Sequence, residues 1–303
     1  MKRTRDVLPR AGHPALLPTG VDFSPGVCYT MDIPDNRGVV MRFFDRAATL
    51  LLCLCLLLAA IITPALLLAR SPIYYRTQFA ITGIYATENA EGDRVPTAIR
   101  YIGGNPRQTA YFTDAQLDEI AAHIIDFLFG DTEDFALTMD GVFLNDEPED
   151  GVAIFGEEAI VHMEDVRGLM QIAGLAAQVA IVLLPFLLLY LFLRRRECGR
   201  AFCRWVLLFF SLLLFLIGGF CLVTYLTAEN LPFAYAAWRN IHHLFFPFQP
   251  EKVAGSFFND ALTCILTLEL FLTAVFIVLG ILLLSLILLT RFAVRMRRDG
   301  WDF

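Results

Sequence analysis

Between residues 71 and 168 the sequence has no cysteine, although the whole 303-residue chain holds seven. That absence excludes a disulfide staple and a thiolate zinc site from the longest polar stretch of the chain. Elsewhere Cys198 and Cys203 lack the CxxC spacing of a metal site, and no HExxH occurs. Basic side chains are scarce in the same stretch, where five Arg stand against nineteen Asp or Glu. The formal net charge of −7 therefore comes from one acidic segment, which argues against nucleic acid as a partner. No internal repeat is visible. No A-x-A-like site follows the first apolar block, so an uncleaved anchor is expected rather than a signal peptide.

What the chain has in abundance is apolar surface. Apolar residues make up 57% of it, with a mean hydropathy of +0.59, and they gather in blocks at 47–69, 169–193, 205–227 and 262–290. Each block meets the requirement of about 20 apolar residues for a bilayer span. The pattern predicts a membrane all-α fold, a four-transmembrane-helix bundle. Arg and Lys set its orientation, since they stay on the cytoplasmic side. They crowd the N-terminal tail, the loop after the second span (Arg194, Arg195, Arg196, Arg200, Arg204) and the C-terminus (Arg291, Arg295, Arg297, Arg298). Both termini are accordingly expected to be cytoplasmic, with an α-rich acidic extracytoplasmic insert between helices 1 and 2.

The expected division is a mostly disordered tail at 1–44, transmembrane helix 1 at 45–70 and the extracytoplasmic domain at 71–156. An entry helix and helix 2 follow at 157–193, a basic cytoplasmic loop at 194–204 and helix 3 at 205–227. An interfacial loop at 228–260, helix 4 at 261–290 and a tail at 291–303 complete it.

Within the insert, Thr113 and Gln116 read as a capping box and Gly130 as a stop. Leu117, Ile120, Ala121, Ile124 and Leu128 give the helix between them one apolar face. His123 falls on its polar flank and reads as a solvated surface histidine. Pro96 and Gly103 predict a short helix over 97–102, and Asp140-Gly141 predicts a hairpin between 135–139 and 142–144. Tyr74 and Tyr75 fall where an interfacial aromatic belt is expected. So does the aromatic segment after the third span, interrupted by Pro232 and Pro247.

Histidines mark a candidate site. On a helix at 100° per residue, Glu158, His162 and Asp165 share one stripe, because i, i+4 and i+7 lie on one face. His162 stands seven residues before Leu169, roughly 10 Å above the apolar block along the helix, and helix tilt is expected to lower it into the headgroup layer, which is about 5 to 7 Å deep. The aromatic segment carries His242 and His243 to the same depth. Polar residues in the spans (Gln171, Gln178, Thr224, Thr263, Thr267) lie in the same halves. Glu269 is costly in lipid and is expected to face the bundle interior, unless it snorkels at the helix end.

The sequence His162-Met163-x-Asp165-Val166 entering the second helix, and Ile241-His242-His243-Leu244-Phe245-Phe246 after the third, resemble the bacterial lipoprotein intramolecular transacylase (Lit) family. Tyr101-Ile102-Gly103 and the run from Glu269 to Phe271 add to the resemblance, which covers roughly 45–290. It implies an enzyme of the bacterial cytoplasmic membrane that moves the sn-2 acyl chain of a diacylglyceryl-lipoprotein onto its N-terminal cysteine amine. His162 and His242 would be the catalytic pair, with Asp165 or Glu158 orienting the first and His243 and Glu269 in support. The implied partners are diacylglyceryl-modified lipoproteins and membrane phospholipid, without cofactor or metal; the oligomeric state is open. Two competing readings are a non-catalytic membrane sensor or binding protein, and a metal-dependent membrane hydrolase with Glu158, His162 and His242 as ligands.

Overall fold

A computed structural model describes residues 36–88, 94–228, 230–249 and 258–298. Most of the expected N-terminal tail, residues 1–35, lies outside the described residues, as do residues 250–257 of the interfacial loop. Among the described residues four helices are long and apolar enough to cross a membrane: α1 (Asn36–Ala69), α4 (Glu157–Leu193), α5 (Arg195–Thr227) and α8 (Leu268–Arg298). Helices satisfy their own backbone polar groups, which an apolar bilayer demands of any spanning segment. The first of them, α1, touches each of the other three.

At the end of the bundle away from the insert, the expected loop at 194–204 is replaced by helix. Only Arg194 separates α4 from α5. The reason is that Cys198, Phe202, Cys203 and Val206 form an apolar face, which buries against Leu52, Cys53, Leu191 and Ala293. Asp45 of α1 is buried here. Its carboxylate accepts the Tyr190 hydroxyl at 2.8 Å and two guanidinium N–H groups of Arg194 at 3.1 and 3.3 Å. At this same end α1 begins nine residues ahead of the expected span, at Asn36.

The insert departs from the α-rich expectation. Its described residues hold one long helix, α3 (Asp114–Phe129), a short helix α2 (Pro72–Thr82) and eight short strands in three small sheets. The strands are β1 (Thr87–Glu88), β2 (Arg94–Val95), β3 (Ala98–Arg100), β4 (Thr109–Tyr111), β5 (Thr138–Met139), β6 (Val142–Leu144), β7 (Glu147–Glu149) and β8 (Val152–Ala153). The largest sheet has the antiparallel order β3-β4-β6-β7. Thr113 and Gln116 form the capping box, Gly130 ends α3 in the left-handed region, and the predicted apolar face is buried. His123 is half-buried rather than solvated, with Nε2 3.0 Å from the Phe135 carbonyl oxygen.

Two local expectations in the insert are corrected. The helix predicted over 97–102 is instead β3 followed by a 3-10 turn at Ile102–Gly104, because Tyr101, Gly103 and Gly104 take left-handed φ values that no α-helix admits. Asp140-Gly141 does not close a hairpin, since β5 pairs with β8 while β6 pairs with β4 and β7. The tight turn is Asn145-Asp146, with φ of 50° and 71°, the two positive values a primed hairpin turn needs. Tyr74 and Tyr75 are buried in the insert core rather than forming a belt, and the Tyr74 hydroxyl donates to the Leu270 carbonyl.

The predicted fourth span is also divided. A five-residue helix, α7 (Ala261–Ile265), is separated from α8 by Leu266 and Thr267, and Leu266 has a non-helical ψ of 74°. The break places Glu269 in the first turn of α8, where its carboxylate suits the helix dipole, and leaves it exposed rather than facing the bundle interior.

One apolar core runs from the insert into the bundle. Ala159 and Met163 of α4, Ala261 and Leu262 of α7, and Leu270 of α8 belong to the same cluster as Ile120, Ile124 and Phe127 of α3. Insert and helices are thus packed as one body around the start of α4.

Arg194→Ala would leave the buried Asp45 carboxylate without its cation and should cost about 2 kcal/mol, a value below that of a fully buried pair because Arg194 is partly exposed. Asp45→Asn in the same protein should return most of the loss. Thermal unfolding in detergent measures both.

Candidate active site

His162 sits on α4 fewer than two turns after Gly156, where the helix is still wrapped by insert residues, and is 5% exposed. His242 comes from a separate helix, α6 (Phe233–Phe245), and is 7% exposed. Nothing local to either helix brings them together. α6 is fastened to the end of α5 by the Asn240 amide, which donates to Thr227 Oγ1 at 2.9 Å and Thr224 Oγ1 at 3.4 Å. Trp238 packs on Phe271 of α8 with centroids 4.5 Å apart. With α6 held in this way, the two imidazoles lie near-parallel, 5.9 Å between centroids and 27° between planes.

Each ring is fixed through Nδ1. His242 Nδ1 lies 3.0 Å from the Trp238 carbonyl oxygen, an acceptor only, so Nδ1 carries the hydrogen and Nε2 the lone pair. His162 Nδ1 lies 3.1 Å from Gln249 Oε1, and the Gln249 amide N–H donates to Asp165 Oδ2. The carboxylate orients the amide, because only the NH2 end can face Asp165, and the amide oxygen then fixes the same tautomer on His162. Gln249 had no sequence signal, being a lone polar residue between Pro247 and Pro250. Asp165 therefore does not meet the imidazole directly, as expected from helix spacing, but through this amide.

Aromatic rings close the pair on several sides. Phe246 is 4.9 Å and Phe258 5.6 Å from His162, and Trp238 is 4.0 Å from His242, centroid to centroid. Burial among them pushes His242 down to about 4, against the pull of the Trp238 carbonyl; His162 and His243 add to the depression. At neutral pH His242 is an uncharged imidazole with an available lone pair.

The remaining predicted residues are placed differently. His243 is half-buried beside His242 and acts on it through charge. Glu158 is exposed on α4, and its charge bears on Asp260. Among the described residues no three His, Cys, Asp or Glu side chains gather closely enough to hold a metal ion, so Glu158, His162 and His242 do not form a ligand triad.

The model of the family described as lipoprotein intramolecular transacylase Lit matches residues 48–249, two thirds of the chain. The chain belongs to the lipoprotein intramolecular transacylase family. The match covers both histidines, Asp165 and Gln249, and stops before Asp260 and Glu269. Neither curated proteins nor solved structures gave a match. Family and helices together make it a multi-pass membrane protein of a transacylase family.

A neutral buried histidine has a signature in stability. His242 is lowered from 6.5 to about 4, so the unfolded chain takes up a proton that the folded one refuses; the stabilisation is present above pH 6.5 and is lost as pH falls toward 4. The loss amounts to about 3 kcal/mol at most. Thermal unfolding of His242→Gln should show a flatter pH dependence than the wild type across that window. Asp260, shifted the other way, contributes equally to both proteins and cancels in the comparison.

Proposed function

We propose that this protein moves the sn-2 acyl chain of a diacylglyceryl-modified lipoprotein to the α-amine of its N-terminal cysteine, leaving a lyso-form lipoprotein. The observation that carries the reading is the near-parallel histidine pair, 5.9 Å apart, with both Nδ1 atoms held as donors. Acyl transfer from an ester to an amine needs neutral imidazole lone pairs near pH 7, and this tautomer offers Nε2 of each ring.

In the proposed reaction the amine nitrogen forms a bond to the ester carbonyl carbon, and His162 Nε2 takes the amine proton. The tetrahedral adduct then breaks its bond to the glyceryl oxygen, and the proton passes to that oxygen as it leaves. Asp165, acting through Gln249, stabilises the positive charge that develops on His162 while the proton is held. His242, uncharged, supports the reading as a second acceptor that can relay the proton between nitrogen and oxygen. The aromatic wall of Trp238, Phe246 and Phe258 limits water, which would otherwise hydrolyse the ester.

We further place the pair at the outer headgroup layer of the bacterial cytoplasmic membrane, with both termini inside. The Arg distribution supports that orientation, and the helical distance from His162 to the apolar part of α4 supports the depth. The ester groups of a membrane-anchored diacylglyceryl substrate lie at this level.

His162→Ala and His242→Ala should each lower transfer by roughly 10²–10⁴-fold, as expected for loss of a positioned acid or base. Gln249→Ala should lose about ten- to a hundredfold, through misorientation of His162. Mass spectrometry of lipoprotein N-termini from cells carrying each variant at wild-type levels reads the acyl position. Lyso-form product persisting in the double histidine variant would favour the sensor or binding reading instead.

A further inference from the structure

Asp260 is an acid that the reaction above does not use, yet it is 1% exposed. It lies where three segments distant in sequence cross. Its Oδ2 accepts the Gly156 N–H at 2.8 Å and its Oδ1 accepts the Leu262 N–H at 2.8 Å. Around it, the Ala261 N–H donates to the Tyr101 carbonyl at 3.1 Å, and the Gly103 N–H to the Ile154 carbonyl at 3.0 Å. The turn at Tyr101-Ile102-Gly103 and the residue before α4 are thereby locked to the start of α7. The approach is close: a Cβ on Gly156 would come within 2.9 Å of the Gly103 carbonyl oxygen and 3.0 Å of Asp260 Oδ2.

Two routes lead from this crossing to His162. Gly156 is the N-cap of α4 and accepts the first bond of the helix, from the Ile160 N–H at 3.1 Å; His162 follows six residues on, roughly 9 Å along the axis. Phe258, two residues before Asp260, is the ring set edge-on against His162. One carboxylate thus fixes the helix that carries the imidazole and the aromatic wall that the imidazole packs on.

We propose that Asp260 is a positioning residue for His162, acting by bridging the N-cap of α4 to the start of α7 through its two carboxylate oxygens. Both oxygens are needed as acceptors. Asparagine could still cap Leu262, but it would turn an NH2 group toward Gly156, donor against donor. Burial pushes the Asp260 carboxyl up to about 6, with its two backbone N–H partners opposing the rise and Glu158 adding to it. At neutral pH the carboxylate with two acceptors is therefore the prevailing form.

The test compares wild type with Asp260→Asn by two readouts. The first is the rate of carbethoxylation of His162 by diethyl pyrocarbonate, followed by peptide mass spectrometry with His123 as internal reference. The second is kcat and KM for acyl transfer within a synthetic diacylglyceryl lipopeptide; this readout alone rests on the transacylase reading. The variant should label His162 at least about threefold faster with His123 unchanged. Its kcat should fall about tenfold or more while KM stays within about twofold, as a displaced base predicts.

Unchanged labelling, or unchanged kcat with an active wild type, overturns the proposal and reduces Asp260 to a cap on α7. Faster labelling beside a wild type that transfers no acyl chain keeps the positioning role and removes the transacylase reading. Should Asp260→Asn fail to accumulate, Asp260→Ser, which can cap Leu262 but cannot bridge to Gly156, takes its place with the same expectations.

Discussion

A single unbroken helix sets the terms for the rest of the molecule. α4 runs from Glu157 to Leu193, so its first turns belong to the insert core and its later turns to the bundle. An α-helix is stiff and turns 100° per residue, which means that whatever fixes its rotation at the start also fixes the side chains of the turns that follow, His162 among them, up to Pro185. The insert supplies that fixation. Ala159 and Met163 are packed among α3 residues, Arg167 lies over the Phe127 ring at 4.8 Å, and the residue before the helix is held by Asp260. The small sheets and the capped helix of the insert act as a mount that aims His162.

The other imidazole is aimed by different means. α6 has no apolar core of its own, and its position depends on Asn240 and Arg239, which bind the end of α5, and on Trp238 against α8. The site is a meeting of two separately supported elements, with Gln249 as the hydrogen-bonded link between them. A break in the α7–α8 region serves the same end, since a continuous helix there would not carry Asp260 and Phe258 to the start of α4. Surrounding the pair with aromatic rings buries both imidazoles and disfavours their charged form.

Some parts of this arrangement were open to reading from residues alone. The four spanning helices follow from apolar length, a signal set by bilayer thickness and needing no knowledge of neighbours. The capping box at Thr113 and Gln116 and the stop at Gly130 are equally local, because a helix end is satisfied by residues within one turn. Other signals misled. Pro96 and Gly103 read as helix boundaries, yet the segment between them pairs with β4, and strand pairing is decided by a partner rather than by the strand. Asp140-Gly141 looked like the hairpin turn while Asn145-Asp146, without glycine, was the true one. Glu269 was open to two readings, facing the bundle interior or lying at a helix end, and the kink at Leu266 decides for the second by putting it in the first turn of α8.

The sequence by itself determined the four membrane-spanning helices and the family, because each of these rests on composition, short-range spacing or a local motif. Tertiary structure alone decided that the rings face each other at 5.9 Å, that an amide from residue 249 stands between Asp165 and His162, and that Asp260 clamps the start of α4. Those relations join residues separated by about eighty to a hundred positions. Their hydrogen bonds depend on angles and on tenths of an ångström that only the packed chain sets.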